Sequence, residues 1–155
     1  MPKTKPKNSD RPLTAAEAKD IRQSVARGYK FLKLKPEASA EQVQDAIYAA
    51  IDAVCLGKKK ATPKVVEDMG INLGCLWGQT ICDKLGWEWC YMTAHGSKSF
   101  AVIPPDRSYA LEPMNFVFTQ LHRRPPEDNT SLLVFNMVVG GSLQKQKRGA
   151  YITFG

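Results

Sequence analysis

Three glycines four residues apart, Gly70, Gly74 and Gly78, sit inside a segment whose apolar residues recur at helical spacing. Met69, Leu73, Leu76, Trp77, Ile81 and Leu85 follow the i, i+4, i+7, i+8 pattern of one buried helix face. The glycines make a second stripe, one without side chains. Each costs a helix about 1 kcal/mol relative to alanine, so the stripe is expected where another backbone or a bound group must come close. Ala46, Ala49 and Ala53 of the preceding helix are the expected partners. Such spacing also serves membrane helices, but Asp68, Asn72, Gln79 and Asp83 exclude lipid around this one. After Gly86 the period becomes two, with Trp87, Trp89 and Tyr91 on one side and Glu88, Cys90 and Met92 on the other.

The remaining elements follow from local signals. Thr14 and Glu17 form a capping box that opens a helix running to about Leu34, with Ala18, Ile21, Val25, Tyr29 and Leu32 as its apolar face. Ser39 and Gln42 open a second helix through about Cys55, and Gly57 ends it before Lys58, Lys59 and Lys60. Thr62 and Pro63 supply an N-cap and a first-turn proline for the glycine-striped helix. Two alternating runs, 87–93 and 99–104, predict a hairpin turning over His95, Gly96, Ser97 and Lys98. A tight turn from Pro104 to Ser108 leads into a short strand at 109–111, and Pro113 starts a helix that ends near His122. The apolar segment 130–139 reads as a buried helix, with a strand as the alternative, and residues 150–154 read as an edge strand. The expected fold is α+β, with helices packed on a small antiparallel sheet. Hairpin 87–104 and strand 109–111 make that sheet, a single layer. Residues 1–12, rich in lysine and proline, are expected to be a disordered basic arm, and residues 13–155 one globular domain.

Charge is placed unevenly. The net charge is +7, and residues 1–35 already hold ten Lys/Arg against three Asp/Glu, whereas the rest of the chain is balanced. On the first helix, Lys19, Arg22, Lys30 and Lys33 form a stripe beside the apolar face, either a solvated flank or a docking strip for an anionic partner. Asp106, Arg107 and Ser108, on a turn between strands, are a second candidate contact surface. Cys55, Cys75, Cys82 and Cys90 lie in apolar segments without metal-ligand spacing, so they are expected to be buried thiols, and no metal or cofactor is expected. No apolar run is long enough to span a membrane and the N-terminus lacks a signal sequence, so the expected location is the cytoplasm. Trp87 and Trp89 are core residues or, if exposed, binding anchors.

Leu73, Gly74, Trp77, Gly78 and the run Leu85-Gly86-Trp87-Glu88-Trp89, the turn Ala101 to Ser108, and Pro113-Met114-Asn115-Phe116 carry a resemblance over about residues 66–140. That segment resembles a small bacterial domain family without an assigned activity. In size and style it is similar to immunity proteins of contact-dependent or type VI toxin systems. The resemblance implies a non-enzymatic protein-binding module that neutralises a toxin, and it brings no catalytic residue. The excess positive charge implies an acidic partner domain. Nucleic-acid binding through the basic arm and first helix is the alternative. A small enzyme at the hairpin end, built from His95, Asp106 and Ser108, is the second alternative, although Ser108 lacks a nucleophile-elbow motif.

Overall fold

The computed structural model describes residues 8–94 and 96–154. In chain order the elements are β1 (Ser9–Pro12), α1 (Ala15–Phe31), α2 (Ala40–Cys55), α3 (Pro63–Leu85), β2 (Glu88–Ala94), β3 (Ser97–Ile103), β4 (Tyr109–Leu111), α4 (Pro113–Leu121), α5 (Ser131–Val139) and β5 (Ile152–Phe154). This is an α+β fold with a single sheet, in the order β1-β2-β3-β4-β5. Both capping boxes form, and Thr62 and Pro63 start α3 as expected. The apolar segment read from 130 to 139 is a helix, Ser131–Val139, with Thr130 as its N-cap.

α3 is the central rod against which α1, α2, α4 and α5 all pack. Its apolar face joins Val43, Ile47 and Ile51 of α2, Phe116, Val117 and Leu121 of α4, Phe135 and Val138 of α5, and Val102 and Leu111 of the sheet in one core. Trp77 is fully buried there, its ring 4.6 Å from Phe116 and its Nε1 donating to the Ser131 carbonyl at 3.2 Å. Trp87 and Trp89 pack against the same core. The opposite sheet face carries the small or slender side chains Cys90, Met92, Ala101, Ile103 and Ala110, with Tyr151 packed against them.

The glycine stripe works as a close-approach surface, but its partner differs from expectation. A Cβ at Gly74 would lie 2.6 Å from Met114 Cα, and one at Gly78 would lie 2.6 Å from Pro113 Cγ. The start of α4, not the alanine flank of α2, fills the space. Ala49 is exposed and Ala46 and Ala53 are only half-buried, because α2 turns Val43, Ile47, Ile51 and Val54 inward.

The sheet departs from the expected one at both edges. Residues 9–12 are not part of an arm: β1 pairs antiparallel with β2, from Ser9 opposite Thr93 to Pro12 opposite Cys90. Residues 1–7 lie outside the described part of the chain. Three interactions hold this edge. The backbone ladder is the first. The second is Arg11, which lies 4.4 Å over the Tyr91 ring and forks onto both carboxylate oxygens of Glu17 at 2.8 and 3.0 Å. The third is Asp10, which accepts from Arg107 Nε at 3.3 Å and from the Tyr151 hydroxyl. At the other edge β5 pairs parallel with β4, so the sheet is mixed and not wholly antiparallel. The crossover through α4 and α5 returns the chain in the same direction. The hairpin is also tighter than predicted. Ala94 stands opposite Ser97, so Ser97 and Lys98 belong to β3, and Gly96 takes a left-handed φ of 79°.

The Arg11–Glu17 link has a consequence in acid. Hydrogen bonds from Arg11, and then from the Thr14 amide, hold the Glu17 carboxyl down to about 2, below its ordinary 4.5. A carboxyl with a depressed folded pKa stabilises the fold above the unfolded value and loses that effect as pH falls through the folded one. The melting temperature of Glu17→Gln should therefore lie below that of the parent chain near pH 6. The gap should close between about pH 4.5 and 2. A gap that persists unchanged at pH 2 would show that the glutamate acts through packing instead.

Candidate functional site

α1 meets α3 through small residues. Ile21, Ser24 and Gly28 are the buried positions of the helix, and a Cβ at Gly28 would lie 2.8 Å from the Asn72 carbonyl and 3.1 Å from Leu76 Cβ. This close crossing rotates α1 away from the expected apolar face. Val25 and Tyr29, expected in the core, are only half-buried and open onto a groove of about 670 Å³. Leu34 and Pro36 form the other wall, and Gln79 of α3 reaches it from below.

A helix-terminating turn builds that second wall. The Leu34 amide donates to the Tyr29 carbonyl at 3.0 Å, and the Lys33 amide to the Lys30 carbonyl at 3.1 Å. This Schellman pattern puts Lys33 at a left-handed φ of 55° and folds Leu34 back beside the helix. Arg22 and Lys30 line the groove with Val25, Ala26 and Tyr29, so the cations bracket an apolar strip. Gln79 is already engaged: its Oε1 accepts from Trp89 Nε1 at 3.1 Å and its Nε2 donates to Asp83 at 2.9 Å.

Lys19, Arg22, Lys30 and Lys33 are all exposed. The ion pairs among the described residues join Arg11 to Glu17, Lys64 to Asp68, Lys84 to Glu41 and Arg107 to Asp10, and none engages an α1 cation. Arg27 belongs to the same surface. With Lys30 and Phe31 it lines a second groove of about 370 Å³ on the other side of the helix crossing. Lys59 lies 4.5 Å over the Phe31 ring, which draws the 58–60 lysines to the end of α1. Sequence spacing shows the stripe. It cannot show Gln79, or that residues 34–36 fold back.

The turn at 106–108 is occupied differently. The Asp106 carboxylate accepts from the Ser108 amide at 3.0 Å and the Ser108 hydroxyl at 2.7 Å, and these bonds hold its pKa below the ordinary carboxylate value. Ser108 is buried, and Arg107 adopts a left-handed φ of 55° while its side chain reaches Asp10. The C-terminal segment clasps the turn. The Gly149, Tyr151 and Ile152 amides donate to the carbonyls of Asp106, Arg107 and Ser108 at 2.8, 2.8 and 3.0 Å. Arg107 and Ser108 thus join the two sheet edges, and Asp106 is the exposed member of the three. Asp106 and Ser108 line one groove, and Arg22 and Lys30 another.

For a hydrolytic arrangement, the Ser108 hydroxyl is spent on Asp106, and His95 lies outside the described residues. Burial pushes the Cys75, Cys82 and Cys90 thiols up to about 12, far from the thiolate a nucleophile needs at neutral pH. Among the described residues no group of His, Cys, Asp or Glu could hold a metal ion, and no helix is long and apolar enough to cross a membrane.

No family model matches the chain, and no curated protein matches it. Among solved structures it is similar to a protein from Bacteroides thetaiotaomicron VPI-5482, with a TM-score of 0.63 and 15% identity. The likeness is one of fold. It covers 89% of this chain and 49% of the other, so the chain spans about half the length of that protein.

Proposed function

We propose that the chain is a non-catalytic binding module that docks an acidic protein partner on the outer face of α1, and that it acts in the cytoplasm as an immunity protein neutralising a bacterial toxin. One observation carries the docking reading. Arg22 and Lys30 make no ion pair among the described residues and stand on either side of a half-open apolar strip. Cations kept out of internal pairs favour an acidic partner and speed its encounter. Apolar side chains between them supply the area that fixes a complex once formed.

The test is the gene beside this one, where a toxin would be encoded. Its product should arrest growth when expressed alone and be neutralised by this chain. Arg22→Glu combined with Lys30→Glu should cut protection and slow association, while leaving the melting temperature nearly unchanged, since exposed substitutions of this kind shift stability by only about 0.5 kcal/mol. A neighbouring product that is harmless, or is neutralised equally well by the double variant, would sink the reading. Nucleic-acid binding remains the second reading, favoured by Lys59 over Phe31 beside the 58–60 lysines. It predicts that a single-stranded oligonucleotide binds with an affinity falling steeply as salt rises.

A further inference from the structure

We infer that the groove beside α1 receives an amphipathic helix of the partner, bearing two acidic side chains seven or eight positions apart on either side of an apolar strip. This rests on the protein-docking reading above and adds the form and spacing of what docks.

The argument starts from spacing. Arg22, Val25, Ala26, Tyr29 and Lys30 fall at i, i+3, i+4, i+7 and i+8, a single face of α1. Its two cations are eight residues apart, about 12 Å along the axis. Carboxylates at that separation occur on a helix two turns apart. The floor between them is apolar, with Leu34 and Pro36 opposite, so the occupant must present apolar side chains between its acids. Exposed Ala26 leaves room for a second helix to approach.

The walls select the form of the occupant. Helical segments and the Schellman turn build them, and the amides of Leu32, Lys33 and Leu34 already donate to carbonyls of α1. An extended strand laid there would have no ladder to join and would leave its own amides unpaired. A helix brings its backbone bonds with it. A nucleic-acid strand fits poorly too, because apolar side chains occupy the interval between the two cations where phosphates would recur. The polar floor residue Gln79 is committed to Trp89 and Asp83, so discrimination falls on Arg22 and Lys30.

The test uses the full chain, labelled with nitrogen-15, and a synthetic peptide of about four helical turns. The peptide carries two glutamates eight positions apart, with leucines between them at helical spacing. Amide shifts confined to residues 22–36 and to Gln79 are expected, and a scrambled peptide of the same composition should bind at least about tenfold more weakly. Arg22→Glu with Lys30→Glu should weaken binding by about tenfold or more, and a peptide with lysines in place of its glutamates should recover that loss. Equal binding of the scrambled peptide, or failure of the charge-swapped pair, overturns the inference. So does concentration-dependent movement of the same amides without peptide, which would make a second copy the occupant. Shifts confined to Lys58–Lys60 overturn the groove but leave the docking reading standing. That reading fails separately, in the neighbouring-gene experiment.

Discussion

Gly74→Ala should destabilise the protein by about 2–4 kcal/mol, although alanine is the better helix former by about 1 kcal/mol. The added methyl would lie 2.6 Å from Met114 Cα, 3.0 Å from Met114 N and 3.0 Å from the Pro113 carbonyl oxygen. Carbon atoms pack favourably at about 3.5–4.0 Å, so the start of α4 would have to retreat by roughly 1 Å. All three obstacles are backbone atoms and cannot rotate aside. Retreat would draw Phe116, Val117 and Leu121 away from Trp77 and the rest of the core. Gly70→Ala is the control, one helical turn earlier on the same stripe. Its methyl would meet Phe118 Cδ2 at 3.2 Å and Cβ at 3.3 Å, so Phe118, which is 42% exposed, need yield only a few tenths of an ångström. That substitution should be neutral or slightly stabilising, because the propensity gain offsets a small adjustment. Denaturant midpoints at equal slope separate the two variants. Equal stabilities would mean that α3 and α4 are not in backbone contact at Gly74.

That pair of glycines marks where the sequence was readable and where it was not. The need for a close neighbour was legible, since a stripe without side chains disfavours a helix unless something occupies it. The identity of the neighbour was not, because small residues on α2 and the proline-led start of a later helix at Pro113 are equally compatible with the pattern. Capping boxes at Thr14 and Ser39 were legible because donor and acceptor lie three residues apart. β1 was hidden for the opposite reason. Arg11 and Asp10 look like solvated charges until Tyr91, Glu17, Arg107 and Tyr151 are placed around them, and the Arg107–Asp10 pair spans 97 positions. At the candidate site the cationic stripe could be read from helical spacing. The rotation of α1 could not, since it depends on Gly28 seating against the Asn72 carbonyl and Leu76. That rotation leaves Ile21 in the core but turns Val25 and Tyr29 partly outward to line a groove.

Gln44→Met should raise stability by about 1–3 kcal/mol, a shift of about 2–4 °C in melting temperature for each kcal/mol in a chain of this size. Gln44 is 1% exposed, and neither its Nε2 nor its Oε1 finds a hydrogen-bond partner among the described residues. An amide buried in that way loses its bonds to water and gains none in return. Methionine keeps nearly the same length and volume without the amide, so it removes that penalty and leaves the packing of α2 nearly intact. Gln120 makes the opposite comparison. It is 2% exposed, but its Oε1 accepts from the Thr130 amide at 2.8 Å and the Thr130 hydroxyl at 3.1 Å. Thr130 is the N-cap of α5 and has no side-chain cap bond, so Gln120 satisfies part of that helix start from across the core. Gln120→Met should therefore lower stability by about 1–2 kcal/mol. Two buried glutamines changed to the same residue are thus expected to move the melting temperature in opposite directions. A loss of stability in both would show that the Gln44 amide is satisfied after all, and buried water bridging it to a neighbour is the physical form that satisfaction would take.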